Sequence, residues 1–139
     1  MHGIRAGLVA VLVAGSIASV AAQYGGWFIP NGCREEKSPL SSVPGASARG
    51  KGIFASNCAR CHGGEGKGNG PDSDHASDLT DPLRDTLNPE GVLFYKVWNG
   101  HAVQLRTQVD DMPAFEGKLS RDEVWAVVEY LKVLRTGQP

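Results

Sequence analysis

Several classes of function are excluded by what this 139-residue chain lacks. It has no basic surplus: 14 Lys and Arg stand against 15 Asp and Glu, so nothing supplies the positive footprint that nucleic acid requires. No segment alternates with the two-residue period of a strand and no internal repeat is present, which makes the class all-α with loops. Cysteine is scarce and odd in number, with Cys33, Cys58 and Cys61 only. In an exported chain that pairs its thiols one is left over, and Cys33 reads as a free thiol in a stretch with no sustained apolar period. Beyond the initiator there is a single methionine, Met112.

The length has room for one modest domain, and a domain this small often relies on a metal or cofactor as a staple. The first 22 residues stand apart. His2 and Arg5 precede an apolar run from Ala6 to Val20, and Val20 and Ala22 occupy the small-residue positions of a cut before Gln23, as in a secretory signal. An uncleaved anchor is the competing reading, because residues 6–28 are long enough to span a bilayer, with Tyr24, Trp27 and Phe28 as interfacial aromatics. Either reading exports the protein to the periplasm or the outer face of the cytoplasmic membrane. Residues 23–45 read as a flexible tether and 46–139 as the folded domain.

Within that domain a short helix leads into Cys58. Residues 63–88 are dominated by Gly, Asp, Ser and Pro and read as a long ordered loop of the functional kind. Between Pro71 and Asn88 five aspartates stand against Arg84 alone; a solvated loop is preferred to a docking surface for a basic partner. Asn88, Pro89 and Glu90 supply an N-cap, a first-position proline and a first-turn acid for a helix that Asn99-Gly100 stops. Ser120 and Glu123 have capping-box spacing ahead of an apolar face of Val124, Val127, Val128, Leu131 and Leu134.

The chemistry is concentrated in Cys58-Ala-Arg-Cys61-His62. A disulfide-exchange motif belongs beside a βαβ pattern, which is missing. Zinc needs four ligands, and Cys33, His75 and His101 are isolated in sequence. A phosphate loop at Gly66-Lys67-Gly68 lacks the Ser or Thr after its lysine. Covalent haem attachment accounts for every position: Cys58 and Cys61 sit on one helical turn, where both sulfurs can form thioethers with the porphyrin vinyls, and His62 then lies under the iron. Glycines 63, 64, 66, 68 and 70 would let the chain pass close to a flat macrocycle. Pro71 has two readings from spacing alone, a plain loop residue or a carbonyl that accepts the Nδ1 proton of His62. Met112, before Pro113 in a polar loop, is an odd core residue and reads as the sixth ligand, with His101 and His75 as rivals.

Together these segments resemble class I c-type cytochromes. "GKGIFASNCARCHG" is similar to the family's first helix and attachment site, "GNGP" to its proximal loop, "MPAF" to its axial methionine loop and "LSRDEVWAVVEYLKVL" to its terminal helix. The resemblance implies a small fold of about three to four helices around one haem c. It implies Cys58 and Cys61 as attachment sites, His62 and Met112 as axial ligands, Pro71 as the carbonyl partner of His62, and a helix crossing at Gly52 and Phe54 beside Tyr130. The implied function is not catalysis but single-electron transfer between a redox donor and a redox acceptor outside the cytoplasm. The alternative is a haem subunit of a larger membrane-associated oxidoreductase or respiratory complex, held by its N-terminal segment. An enzymatic rival, a haem peroxidase or gas sensor, requires that Met112 detach or never bind.

Overall fold

A computed structural model describes residues 27–101 and 112–137. The signal or anchor expected over 1–22, and the start of the tether at 23–26, lie outside the described residues. Five helices occur among them: α1 Ala46–Asn57, α2 Ala59–His62, α3 Arg84–Leu87, α4 Glu90–Asn99 and α5 Arg121–Thr136. Two are single turns, so the scaffold is three longer helices joined by loops, and the only β pairing described is an isolated bridge between Glu116 and Leu119. No helix among the described residues is long and apolar enough to cross a membrane.

α5 forms where its sequence says it should. The Ser120 hydroxyl accepts from the Glu123 N–H while the Glu123 carboxylate accepts from the Ser120 N–H, a complete capping box, and Gly137 ends the helix in the left-handed region that glycine adopts without a Cβ penalty. Val124, Val127, Val128 and Leu131 are buried. Trp125 stacks on Phe94 of α4 with ring centroids 4.4 Å apart. Lys132 of α5 also pairs with Glu90 of α4 at 2.9 Å.

α1 crosses α5 at Gly50, and the expectation that Gly52 makes this crossing is corrected. A Cβ on Gly50 would overlap the Ala126 carbonyl and press on Tyr130, whereas one on Gly52 would meet nothing. The backbones therefore touch at Gly50, and Phe54, one turn on, packs edge-on against Tyr130 at 5.3 Å.

Two further expectations change. α4 takes Pro89 as its N-cap with no side-chain cap bond; Asn88, read as the cap, instead accepts from Lys96 Nζ at 2.7 Å. The described part of the supposed tether, 27–45, is pinned to the domain. Ser38 is buried and its N–H donates to Glu90 at 2.8 Å, Arg34 donates to the Thr86 carbonyl at 3.1 Å, and Ile29 packs with Val92 in a small cluster of its own. Cys33 lies half-buried and free beside it, its thiol pushed up by burial and by Glu36 and Glu35.

Candidate cofactor site

Cys58 is at once the last cap of α1 and the first cap of α2, so the chain kinks at the first cysteine and re-forms a single turn carrying the second cysteine and the histidine. A one-turn helix leaves its carbonyls without intrahelical partners. Here the following loop supplies them: Gly68 N–H donates to His62 O at 2.8 Å, Gly70 N–H to Cys61 O at 3.0 Å and Asp72 N–H to Arg60 O at 2.9 Å. This close return accounts for Gly70, where a Cβ would overlap the backbone of Arg60 and Cys61. At that position the chain avoids another stretch of chain, not a macrocycle as the sequence suggests.

The loop then fixes the histidine. His62 Nδ1 lies 3.0 Å from the Ser77 carbonyl. A carbonyl can only accept, so Nδ1 carries the proton and Nε2 keeps its lone pair. The Pro71 carbonyl expected in this role is not the partner in this structure. Its neighbours Gly70 and Asp72 are tied to α2, and the loop runs on to 77 before it meets the ring. Ser77 was missed because a main-chain acceptor leaves no mark in residue type. Burial lowers the His62 pKa, the Ser77 carbonyl opposes this and Arg84 adds to the lowering, so the ring is held in the neutral form that ligates a metal.

Met112 reaches the same place by another route. His101 N–H donates to Met112 O at 2.8 Å, and the N–H groups of Phe115 and Glu116 occupy the Trp98 carbonyl, docking the methionine loop on the C-terminal end of α4. Two adjoining cavities, about 300 Å³ and about 100 Å³, share Cys58, His62 and Met112 in their walls. Cys61 lines the larger, and apolar Phe54, Leu93, Val97 and Leu131 line the smaller. The rivals of Met112 also border the larger cavity: His101, its ring 4.4 Å from that of Trp27, and His75, 3.2 Å from Asp74. Burial and Cys61 push the Cys58 thiol up to about 12. Among the described residues no three His, Cys, Asp or Glu side chains converge as metal ligands, so the zinc alternative finds no donor set there.

The acidic loop is held by ion pairs and by its own backbone. Asp72 pairs with Arg60 and Asp85 with Arg135, while Asp78 and Asp81 accept from backbone N–H groups two residues on.

Residues 45–131 match the family model described as cytochrome c oxidase, cbb3-type, subunit III. The chain belongs to this family and is a class I c-type cytochrome. It is 36% identical over 92 residues to the cbb3-type cytochrome c oxidase subunit FixP of Bradyrhizobium sp. (strain ORS 278), covering 66% of this chain and 29% of that protein. Cytochrome c6 of Chlorolobion braunii is 33% identical over 85 residues, covering 60% of this chain and 85% of that protein. The chain thus spans less than a third of its FixP relative and most of its cytochrome c6 relative. The crystal structure of cytochrome cL from Methylophaga aminisulfidivorans superposes with a TM-score of 0.52 at 17% identity, covering 68% of this chain and 58% of that one, which supports the fold alone.

The cofactor of this cytochrome is haem c, and the residues present fit it. Two thiols, a neutral imidazole with a free lone pair and a thioether border cavities whose inner wall is apolar. Together these reach the volume of roughly 300–1,000 Å³ usual for ligand clefts.

Proposed function

We propose that this cytochrome passes single electrons between protein redox partners outside the cytoplasm, holding its haem through Cys58 and Cys61, with His62 and Met112 as the axial pair. The carrying observation is convergence: His62, with its proton committed to Ser77, and Met112, its loop docked on the end of α4, line the cavities that Cys58 also lines. When bound, the iron supplies a one-electron couple whose potential a thioether ligand and apolar surroundings raise. The chain's part is positional. Phe54, Leu93, Val97 and Leu131 exclude water, the loop from Gly63 to Ser77 holds the imidazole, and residues 112–116 hold the thioether. Export is supported by the leader-like residues 1–22.

A second reading has its own support: a cbb3-type oxidase subunit, suggested by the family model and by FixP. In that case the acceptor is a neighbouring subunit of the complex. Membrane partition and co-purification of the full chain separate the two, a soluble monomer favouring the free carrier.

The decisive experiment is an optical spectrum of both oxidation states for the wild type and Met112→Ala. A pigment that survives acid-acetone, with a weak far-red ferric band lost in Met112→Ala while far-UV dichroism is kept, is the expected outcome. An extractable pigment, or a wild-type ferric form that is high-spin and binds carbon monoxide rapidly once reduced, overturns the carrier reading in favour of a haem enzyme or gas sensor.

A further inference from the structure

The smaller cavity has a cationic end that neither attachment nor iron ligation uses. Arg84, Lys96 and Arg135 all line it. Arg135 is almost wholly enclosed, its side chain 1% exposed; its Nη1 takes Asp85 at 2.7 Å and its Nε the Leu79 carbonyl at 3.3 Å. Lys96 donates to Asn88 and lies 5.0 Å from the Trp27 ring, a cation–π contact from a residue that precedes the family match at 45–131. Arg84 differs from both. Its Nε is buried and has no hydrogen-bond partner among the described residues.

A buried guanidinium N–H without an acceptor is costly, and three cations gathered around one enclosed space are more so, because low dielectric strengthens their repulsion. The acid in contact, Asp85, is engaged by Arg135. Burial, with Arg84 and Arg135 adding to it, brings the Lys96 pKa down to about 8, the direction in which lost solvent and neighbouring like charge push an ammonium group. Among the described residues no carboxylate accepts from Arg84 Nε, and a planar carboxylate is the partner that guanidinium geometry matches best.

We propose that Arg84, with Lys96 and Arg135, forms the subsite that receives the haem's own carboxylate groups, roofed by Trp27. This rests on the haem reading above. Cys58, His62 and Met112, which would hold the macrocycle, line the same small cavity, and its propionates are the anions that would arrive with it. A small anion from solvent offers the same chemistry from another source, and the test separates them.

The measurement is the midpoint potential of the haem-loaded protein from about pH 5 to pH 7, for wild type, Arg84→Met and Arg84→Lys, with covalent haem content and the low-spin spectrum confirming assembly. His75, His101 and Lys96 border the two cavities in all three proteins, so the difference between profiles reads the carboxylate. Arg84→Met is expected to gain an added fall in potential with rising pH, because a carboxyl released from the guanidinium would take up a proton on reduction; Arg84→Lys is expected to parallel the wild type. An Arg84→Met profile that is only offset from the wild type overturns the proposal. So does a wild-type potential that responds to phosphate at constant ionic strength, which assigns the cluster to a solvent anion. Should Arg84→Met fail to load haem, Lys96→Met read in the same way decides. Failure of the haem reading itself shows differently, as wild-type protein without a covalent low-spin pigment.

Discussion

The crossing of α1 and α5 and the loop from Gly63 to Asn88 wall the smaller cavity with different materials. At the crossing, identity resides in side chains: Gly50 lets the backbones meet, Phe54 and Tyr130 lock edge to face, and Val124 to Leu131 fill the space behind. In the loop, main-chain atoms do the holding: three N–H groups cap α2 and one carbonyl orients His62. The crossing sets how tightly the fold holds together, and the loop sets how the imidazole is presented. Stability and spectrum should therefore respond to different substitutions.

The largest stability effect is expected from Phe54→Ala, which empties a site 2% exposed in the wild type and should cost about 3–5 kcal/mol in a denaturant titration of the haem-loaded protein. A loss under about 1 kcal/mol would mean that the crossing tolerates repacking and the contrast is weak. Gly70→Ala comes next, at about 1–3 kcal/mol, but it should disturb the ferric spectrum more than Phe54→Ala does, since the overlap falls on the turn that carries His62. The reverse ordering of spectral effects would break the division of labour.

Ser120→Ala is the smallest, at about 1 kcal/mol, with the spectrum unchanged. The same capping box carries a pH signature. Hydrogen bonds from the Ser120 N–H and hydroxyl hold the Glu123 carboxyl below its ordinary value, with Arg49 adding to the lowering. Its folded pKa is therefore the lower one, so the contribution is present above the unfolded value of about 4.3 and is lost as pH falls through the folded one. Thermal melts of wild type and Glu123→Gln should converge in acid and separate near neutrality. A constant gap would remove the carboxylate's part.

How much of this was legible in sequence follows the same division. The capping box, the apolar face of α5 and the stop at Gly100 were readable, because each is written in residue type at fixed spacing, and Cys58, Cys61, His62 and Met112, singled out by residue type, border one cavity. The choice between Gly50 and Gly52 was also within reach: Gly50 lies four residues before Phe54 and shares its helix face, whereas Gly52 lies two before it and does not. Resemblance to a family pattern outweighed that simple periodicity. The strap at 27–45 was misread because polar, proline-bearing composition is common to free linkers and to segments laid against a surface; what distinguishes it is buried Ile29 and Ser38, which only tertiary contact reveals. The orphaned Nε of Arg84 likewise has no sequence signal, since a lone arginine among aspartates reads as a solvated charge.

The Ser77 contact carries one more implication, for how such a protein can change over time. An acceptor supplied by the peptide unit survives almost any replacement of the side chain at 77, yet a single residue inserted or deleted between 71 and 77 would bring a different carbonyl, or none, to the imidazole. The orientation of the ring is thus stored as a count of residues, immune to substitution and vulnerable to a change of length.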